Sequence, residues 1–103
     1  MDPWAALLLA SVFEVGFTTC LKLEQRNKNW ALGFLACAVV SFGFLELAIR
    51  SIPLGTAYAV WTGLGAVGTI AVGALFFGDR LRPVQLALVG VIVALIAGLK
   101  VLS

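Results

Sequence analysis

Apolar residues run along this chain in four long blocks, broken only by short clusters that hold nearly every charge. The first block spans about residues 4–21 and is interrupted by Glu14, Thr18 and Thr19. A polar hairpin follows, with Lys22, Glu24, Gln25, Arg26, Asn27, Lys28 and Asn29. The second block covers 30–49, the third 54–77 and the fourth 84–102, joined by Arg50-Ser51-Ile52-Pro53 and by Gly78-Asp79-Arg80-Leu81-Arg82-Pro83. Each block approaches the roughly 20 apolar residues that a helix needs to cross a bilayer core. None shows the alternation of a membrane β-strand, and irregular backbone in lipid would leave its polar groups unsatisfied. The pattern therefore predicts an all-α protein of four transmembrane helices, a single integral membrane domain over 1–103. Connections this short make successive helices antiparallel neighbours, and Pro53 suits the first turn of the third helix, where its missing N–H costs nothing.

Composition agrees: 62% of the 103 residues are hydrophobic and 12% charged, too little polar surface for a soluble domain of this length. Met1-Asp2-Pro3-Trp4 lacks the basic start of a cleavable leader, so the first block is expected to remain as a helix. Lys22, Arg26, Lys28, Arg80 and Arg82 lie on one side, against Arg50 and Lys100 on the other. The positive-inside rule then places the first and third connections in the cytoplasm. The net charge of +2 is too small and dispersed to suggest a nucleic-acid partner. Without histidine, and with Cys20 and Cys37 outside any metal-ligand spacing, neither a metal site nor a cofactor is expected. The two cysteines read as small packing residues. No set of catalytic residues is visible, so the chain is not read as an enzyme.

Glu14 is the residue that most needs explaining. At helical rise it lies about 12 Å from Lys22 and about 18 Å from Asp2, deep in the hydrocarbon zone. Placing a carboxylate there costs about 2.5–3.5 kcal/mol on insertion scales, and intramembrane acids are by default functional. No basic residue lies within the apolar parts of the first three helices to neutralise it. Desolvation disfavours the charged form of a carboxyl group, so an acid without a fixed partner is suited to trade a proton for an organic cation. The competing reading is a protonated acid that only hydrogen-bonds across helices.

Tyr58 and Trp61, three apart in the third helix, share a face that Gly65 continues. Aromatic faces bind desolvated cations, and Trp61 lies too deep for the interfacial belt that suits Trp4 and Trp30. Gly63 and Gly65 have two readings, close helix packing or a hinge. Gly90, Ala94 and Gly98 form a small-residue stripe in the fourth helix, the expected seam of a dimer that would shield the acid from lipid. Glu46 lies one turn before Arg50, an order that favours an i,i+4 ion pair near the membrane surface. Ser41 has two readings, a hydrogen bond to a carboxylate or to its own helix. Lys100 is near a helix end, where it can snorkel.

Phe13-Glu14-Val15 with Thr18, Thr19 and Lys22 resembles the first helix of the small multidrug resistance transporters, and the run from Pro53 to Gly65 resembles their third. Phe76-Phe77 and Gly98-Leu99-Lys100 fit as well, so the resemblance covers nearly the whole chain. It implies an antiparallel dimer in the bacterial inner membrane, exporting small organic cations in exchange for protons. Glu14 is then the shared proton and substrate site, lined by Tyr58, Trp61 and Ser41. Trp-Thr-Gly-Leu-Gly and the closing Gly-Leu-Lys resemble the guanidinium-exporter branch. That branch typically carries tryptophan three residues after the glutamate, where this chain has Phe17, preceded by Gly16. The departure implies a reshaped pocket that admits substituted guanidinium or biguanide compounds. Some members pair with a paralogous chain; the tilt of five basic residues against two leaves homodimer and heterodimer both open. The competing functions are export of lipophilic quaternary ammonium drugs and a non-transporting, proton-carrying subunit of a rotary motor.

Overall fold

The computed structural model describes residues 2–102 and contains four α-helices among them: α1 (Pro3–Glu24), α2 (Trp30–Ile49), α3 (Leu54–Phe76) and α4 (Pro83–Leu102). All four are long and apolar enough to cross a membrane.

Local chemistry sets the ends. The Asp2 side chain accepts from the Trp4 N–H and Pro3 occupies the first turn, so α1 starts capped. The helix runs nearly a turn beyond the apolar block, to Glu24, whose carboxylate takes the Lys28 ammonium at 3.0 Å across the hairpin. Asn27 closes that hairpin by accepting from the Asn29 N–H. Pro53 is not inside α3 but caps it: its extended backbone lets its carbonyl accept the Ala57 N–H at 2.9 Å. At the other end Gly78, with φ +68°, turns the chain so that the Asp79 N–H reaches the Gly73 carbonyl at 3.0 Å. Phe77 therefore caps α3 without belonging to it. Pro83 opens α4, and Gln85 reaches back to the Arg82 N–H at 3.0 Å, half of a capping box.

Small residues govern the packing. α1 is central, lying against both α2 and α3, while α4 has its close backbone contacts with α3 alone. Between α1 and α2 the cysteines and glycines interlock. The Cys37 sulfur fills the space that a side chain on Gly16 would take, and the Cys20 sulfur does the same at Gly33, each 3.2 Å from the missing Cβ. The cysteines thus have the packing role expected of them, and Gly16 belongs to this seam. Between α1 and α3 a side chain on Gly68 would overlap Val15. The buried core gathers Ala6, Leu7, Ala10, Ala48, Ile52, Ala57, Val60 and Trp61.

The result is a flattened bundle with principal extents of 42 × 34 × 17 Å. The bundle is wider than it is thick, with α4 at its edge against α3. No residue of α4 is buried, and a Cβ added at Gly90 or Gly98 would meet nothing within 4 Å. The stripe of Gly90, Ala94 and Gly98 is thus uncovered in the single chain.

Gly68→Val should lower the thermal midpoint of the detergent-solubilised protein, because overpacking costs about 1–3 kcal/mol. Gly43→Ala, at a position with nothing within 4 Å, should leave it unchanged. Circular dichroism melts of the two variants provide the comparison.

Candidate functional site

α1 and α3 run parallel, because α2 returns the chain between them, and one offset relates their facing residues. Thr18 and Thr69, 51 positions apart, share a hydroxyl–hydroxyl hydrogen bond of 2.9 Å. One turn earlier the same offset pairs Glu14 with Gly65. One turn earlier again it aligns Ala10 with Trp61, both in the buried core. Facing side chains therefore meet in levels about one helical turn apart.

Ser41 of α2 ties the Ala10–Trp61 level together. It is fully buried, and its hydroxyl donates to the Ala10 carbonyl at 2.6 Å while accepting from the Trp61 indole N–H at 3.0 Å. Neither expected role of Ser41 is realised: it bonds neither a carboxylate nor its own helix. It instead satisfies a buried indole N–H, which would otherwise stay unpaired at a cost of about 1–3 kcal/mol. Three helices are pinned at one point directly before Glu14.

The Glu14 carboxyl group lies on the bare surface of Gly65. Any side chain there would overlap both carboxyl oxygens, so glycine is the residue that makes room for the acid. Glu14 Oε1 is buried and has no hydrogen-bond partner among the described residues. Among the described residues the ion pairs Lys28–Glu24 and Arg50–Glu46 lie at helix ends and are not directed at Glu14. The acid is in place and half-buried, with one carboxyl oxygen shielded and unpaired.

An aromatic series flanks this level. Phe17 meets Phe34 edge-on at 5.7 Å and stacks with Phe42 at 6.4 Å; Phe42 tilts against Trp61 at 5.3 Å, and Trp61 against Tyr58 at 5.6 Å. Phe17, Trp61 and Tyr58 thus join one connected set. Tyr58 is its open end, 55% exposed and facing a largely apolar groove of about 670 Å³ between α3 and α4, which Gly63, Ala94 and Gly98 also line. Phe34 and Phe42 escaped the sequence reading. Their spacing of eight puts both on one face of α2, but only α1 packing reveals that this face meets Phe17.

The glycines of α3 are used for close approach. Gly63 faces Ile92 and Ile96 of α4, and Gly65 faces Glu14, while α3 stays continuous through both. Glu46 pairs with Arg50 at 2.8 Å, both side chains exposed, and stands apart from the site. The Lys100 ammonium lies 4.9 Å above the Trp4 ring. Thr69 also went unnoticed in the sequence; its signal, the offset of 51 from Thr18, has meaning only once α1 and α3 are known to be parallel.

A family model described as Small Multidrug Resistance protein matches residues 2–92. The chain is 41% identical over 99 residues to a protein of Citrobacter freundii named guanidinium exporter, and equally to one of that name from Salmonella typhimurium. Both matches cover 94% of each chain. It is 36% identical over 100 residues to the probable guanidinium efflux system subunit GdnC of Bacillus licheniformis, covering 97% of this chain and 91% of that one.

Ser41→Ala should destabilise the chain by about 1–3 kcal/mol, since it leaves the Trp61 N–H buried and unpaired. Ser51→Ala, in an exposed turn, should have no such effect. Denaturant titration followed by tryptophan emission distinguishes them.

Proposed function

Because the chain belongs to the small multidrug resistance family of membrane transporters, we propose that it exports guanidinium-type cations, with Glu14 binding proton and substrate in turn. It is a multi-pass protein of the bacterial inner membrane. The observation that carries the reading is the buried, unpartnered oxygen of Glu14 beside an ordered indole. A carboxylate in that position lacks a donor. A guanidinium ion supplies a planar fork of N–H donors that matches a carboxylate and a flat face that stacks on aromatic rings. A quaternary ammonium ion has no N–H to offer, so the same vacancy favours the guanidinium class over lipophilic quaternary drugs. The relatives' names, guanidinium exporter and guanidinium efflux system subunit, support this choice.

The exchange follows from occupancy. Facing the cytoplasm, Glu14 gives up its proton as the cation arrives, and the carboxylate binds it. Facing outward, a proton displaces the cation and returns the site to its neutral form. Trp61, held by Ser41, presents its face to the substrate, and Tyr58 lines the open side. Phe17, with no N–H, leaves Glu14 free of a donor from that position and gives an apolar wall suited to substituted guanidinium or biguanide compounds. Gly63 and Gly65, where α3 carries no side-chain bulk, are the positions at which it bends as the site changes sides.

No residue of α4 is buried and its small-residue stripe is open, so the working unit is an antiparallel dimer closed along Gly90, Ala94 and Gly98 of α4. The second chain is another copy or a paralogue. Five basic residues on one side against two on the other favour insertion in one orientation, with the α1–α2 and α3–α4 connections in the cytoplasm. Co-expression with and without a paralogous chain decides the pairing. A rotor subunit that only carries protons would have no use for the aromatic series.

Glu14→Gln is expected to abolish cation-driven proton movement in proteoliposomes while leaving the helical circular dichroism unchanged. Proton-coupled transport in that variant would refute the proposal. Trp61→Ala should raise the half-saturating concentration of methylguanidinium roughly ten- to thirtyfold, the equivalent of a desolvated cation–π contact. Trp4→Ala, at the membrane surface, should raise it far less.

A further inference from the structure

Beyond Glu14, the α1–α3 seam opens into a second, more polar cavity of about 130 Å³. Thr18, Thr19, Lys22, Thr69, Phe77 and Asp79 line it. The Thr18–Thr69 hydroxyl pair lies at its inner end, one turn from the Glu14–Gly65 level. At its outer end the Lys22 ammonium lies 5.6 Å from the centre of the Phe77 ring. The Asp79 carboxylate folds back over Gly73, another place where a side chain on the helix would collide with it. Its position is fixed by the Gly78 turn and by the Asp79 N–H bond to the Gly73 carbonyl. An aromatic face, a carboxylate and two hydroxyls therefore converge on one small cavity, and the chain's own ammonium already occupies the aromatic face.

We propose that this cavity is an outer docking station for the transported cation, built from Phe77 and Asp79, in which Lys22 is a resident placeholder that the substrate displaces. The proposal rests on the export reading for the identity of the cation. The chemistry required is already present. An aromatic ring that holds one cation will hold another, and the carboxylate of Asp79 rewards a guanidinium with N–H···O bonds that the Lys22 ammonium does not make at salt-bridge distance. When Lys22 swings out into water, where its long side chain is well solvated, the cation lies one hydroxyl pair away from Glu14. Its partial exposure makes the station weak, which suits a way-point that must pass its occupant on.

The test separates this station from the Glu14 site by removing the latter. In a ¹⁵N-labelled Glu14→Gln chain in bicelles, methylguanidinium chloride, titrated against matched sodium chloride, should shift the amides of Thr69, Gly73 and Asp79 saturably. Adding Lys22→Gln should lower the half-saturating concentration roughly two- to fivefold, the worth of an exposed cation–π contact. Adding Asp79→Asn should abolish saturation, and Phe77→Leu, placed in the Lys22→Gln background, should raise the half-saturating concentration roughly two- to fivefold without touching the Asp79 turn. Identical titrations with and without Asp79, or weaker binding after Lys22→Gln, would overturn the station. So would transport by an Asp79→Asn chain with unchanged half-saturation in proteoliposomes. Wild-type protein that binds no cation through Glu14 would instead refute the export reading while the titration in Glu14→Gln still stood.

Discussion

The structure depends on a carboxyl group lying on a helix that has no side chain to receive it. Glu14 projects from α1 onto Gly65 of α3, and the contact is possible only because that position is bare. Two consequences follow. α1 and α3 approach closely enough to exclude other groups, so the acid gains no neutralising neighbour from either helix. The helices must also keep one register, since a shift of a single residue would bring Leu64 or Ala66 toward the carboxyl. The levels on either side enforce that register, Thr18 with Thr69 after the acid and the Ser41 clasp on Ala10 and Trp61 before it.

Interior space is created by glycine and filled by a few larger atoms. The Cys20 and Cys37 sulfurs occupy the gaps at Gly33 and Gly16, Val15 the gap at Gly68, and Ile92 and Ile96 the gap at Gly63. In lipid there is no hydrophobic drive to press apolar helices together, so this close fit and a few hydrogen bonds must supply the association. The same economy explains why α4 is the loosest element. It has bulky apolar residues over most of its surface, its polar contact with α1 is the Lys100 ammonium at the Trp4 ring near the helix ends, and its small-residue stripe is left uncovered.

Polar chemistry is graded along the α1–α3 seam. At the membrane surface Lys22 and Asp79 are exposed and accessible to ions; a turn or two inward come hydroxyls; at the centre comes a lone acid. Charge is thus shed in steps as depth increases, as expected where each uncompensated charge costs more toward the hydrocarbon centre. Phe77 and Trp61 bracket the gradient with aromatic faces at its outer and inner ends.

Several of these features were legible in the residues themselves. Four apolar blocks with short polar joints specify four spanning helices, because a backbone in oil must satisfy its own hydrogen bonds and helix does so locally. Glu14 stood out for a similar reason, since one acid far from every base along the chain is costly wherever the helices go. The Glu46–Arg50 pair, too, is local, set by one helical turn. What the linear pattern left undecided is everything that joins distant segments. The partner of Ser41 was wrong in both of its local readings because the true partners come from two other helices. Phe34, Phe42 and Thr69 had spacings whose meaning depends on which helices face one another. Only the tertiary structure chose, because helix register and orientation are set by how small and large residues interlock between helices, and that fit is a property of pairs of surfaces that no single segment contains.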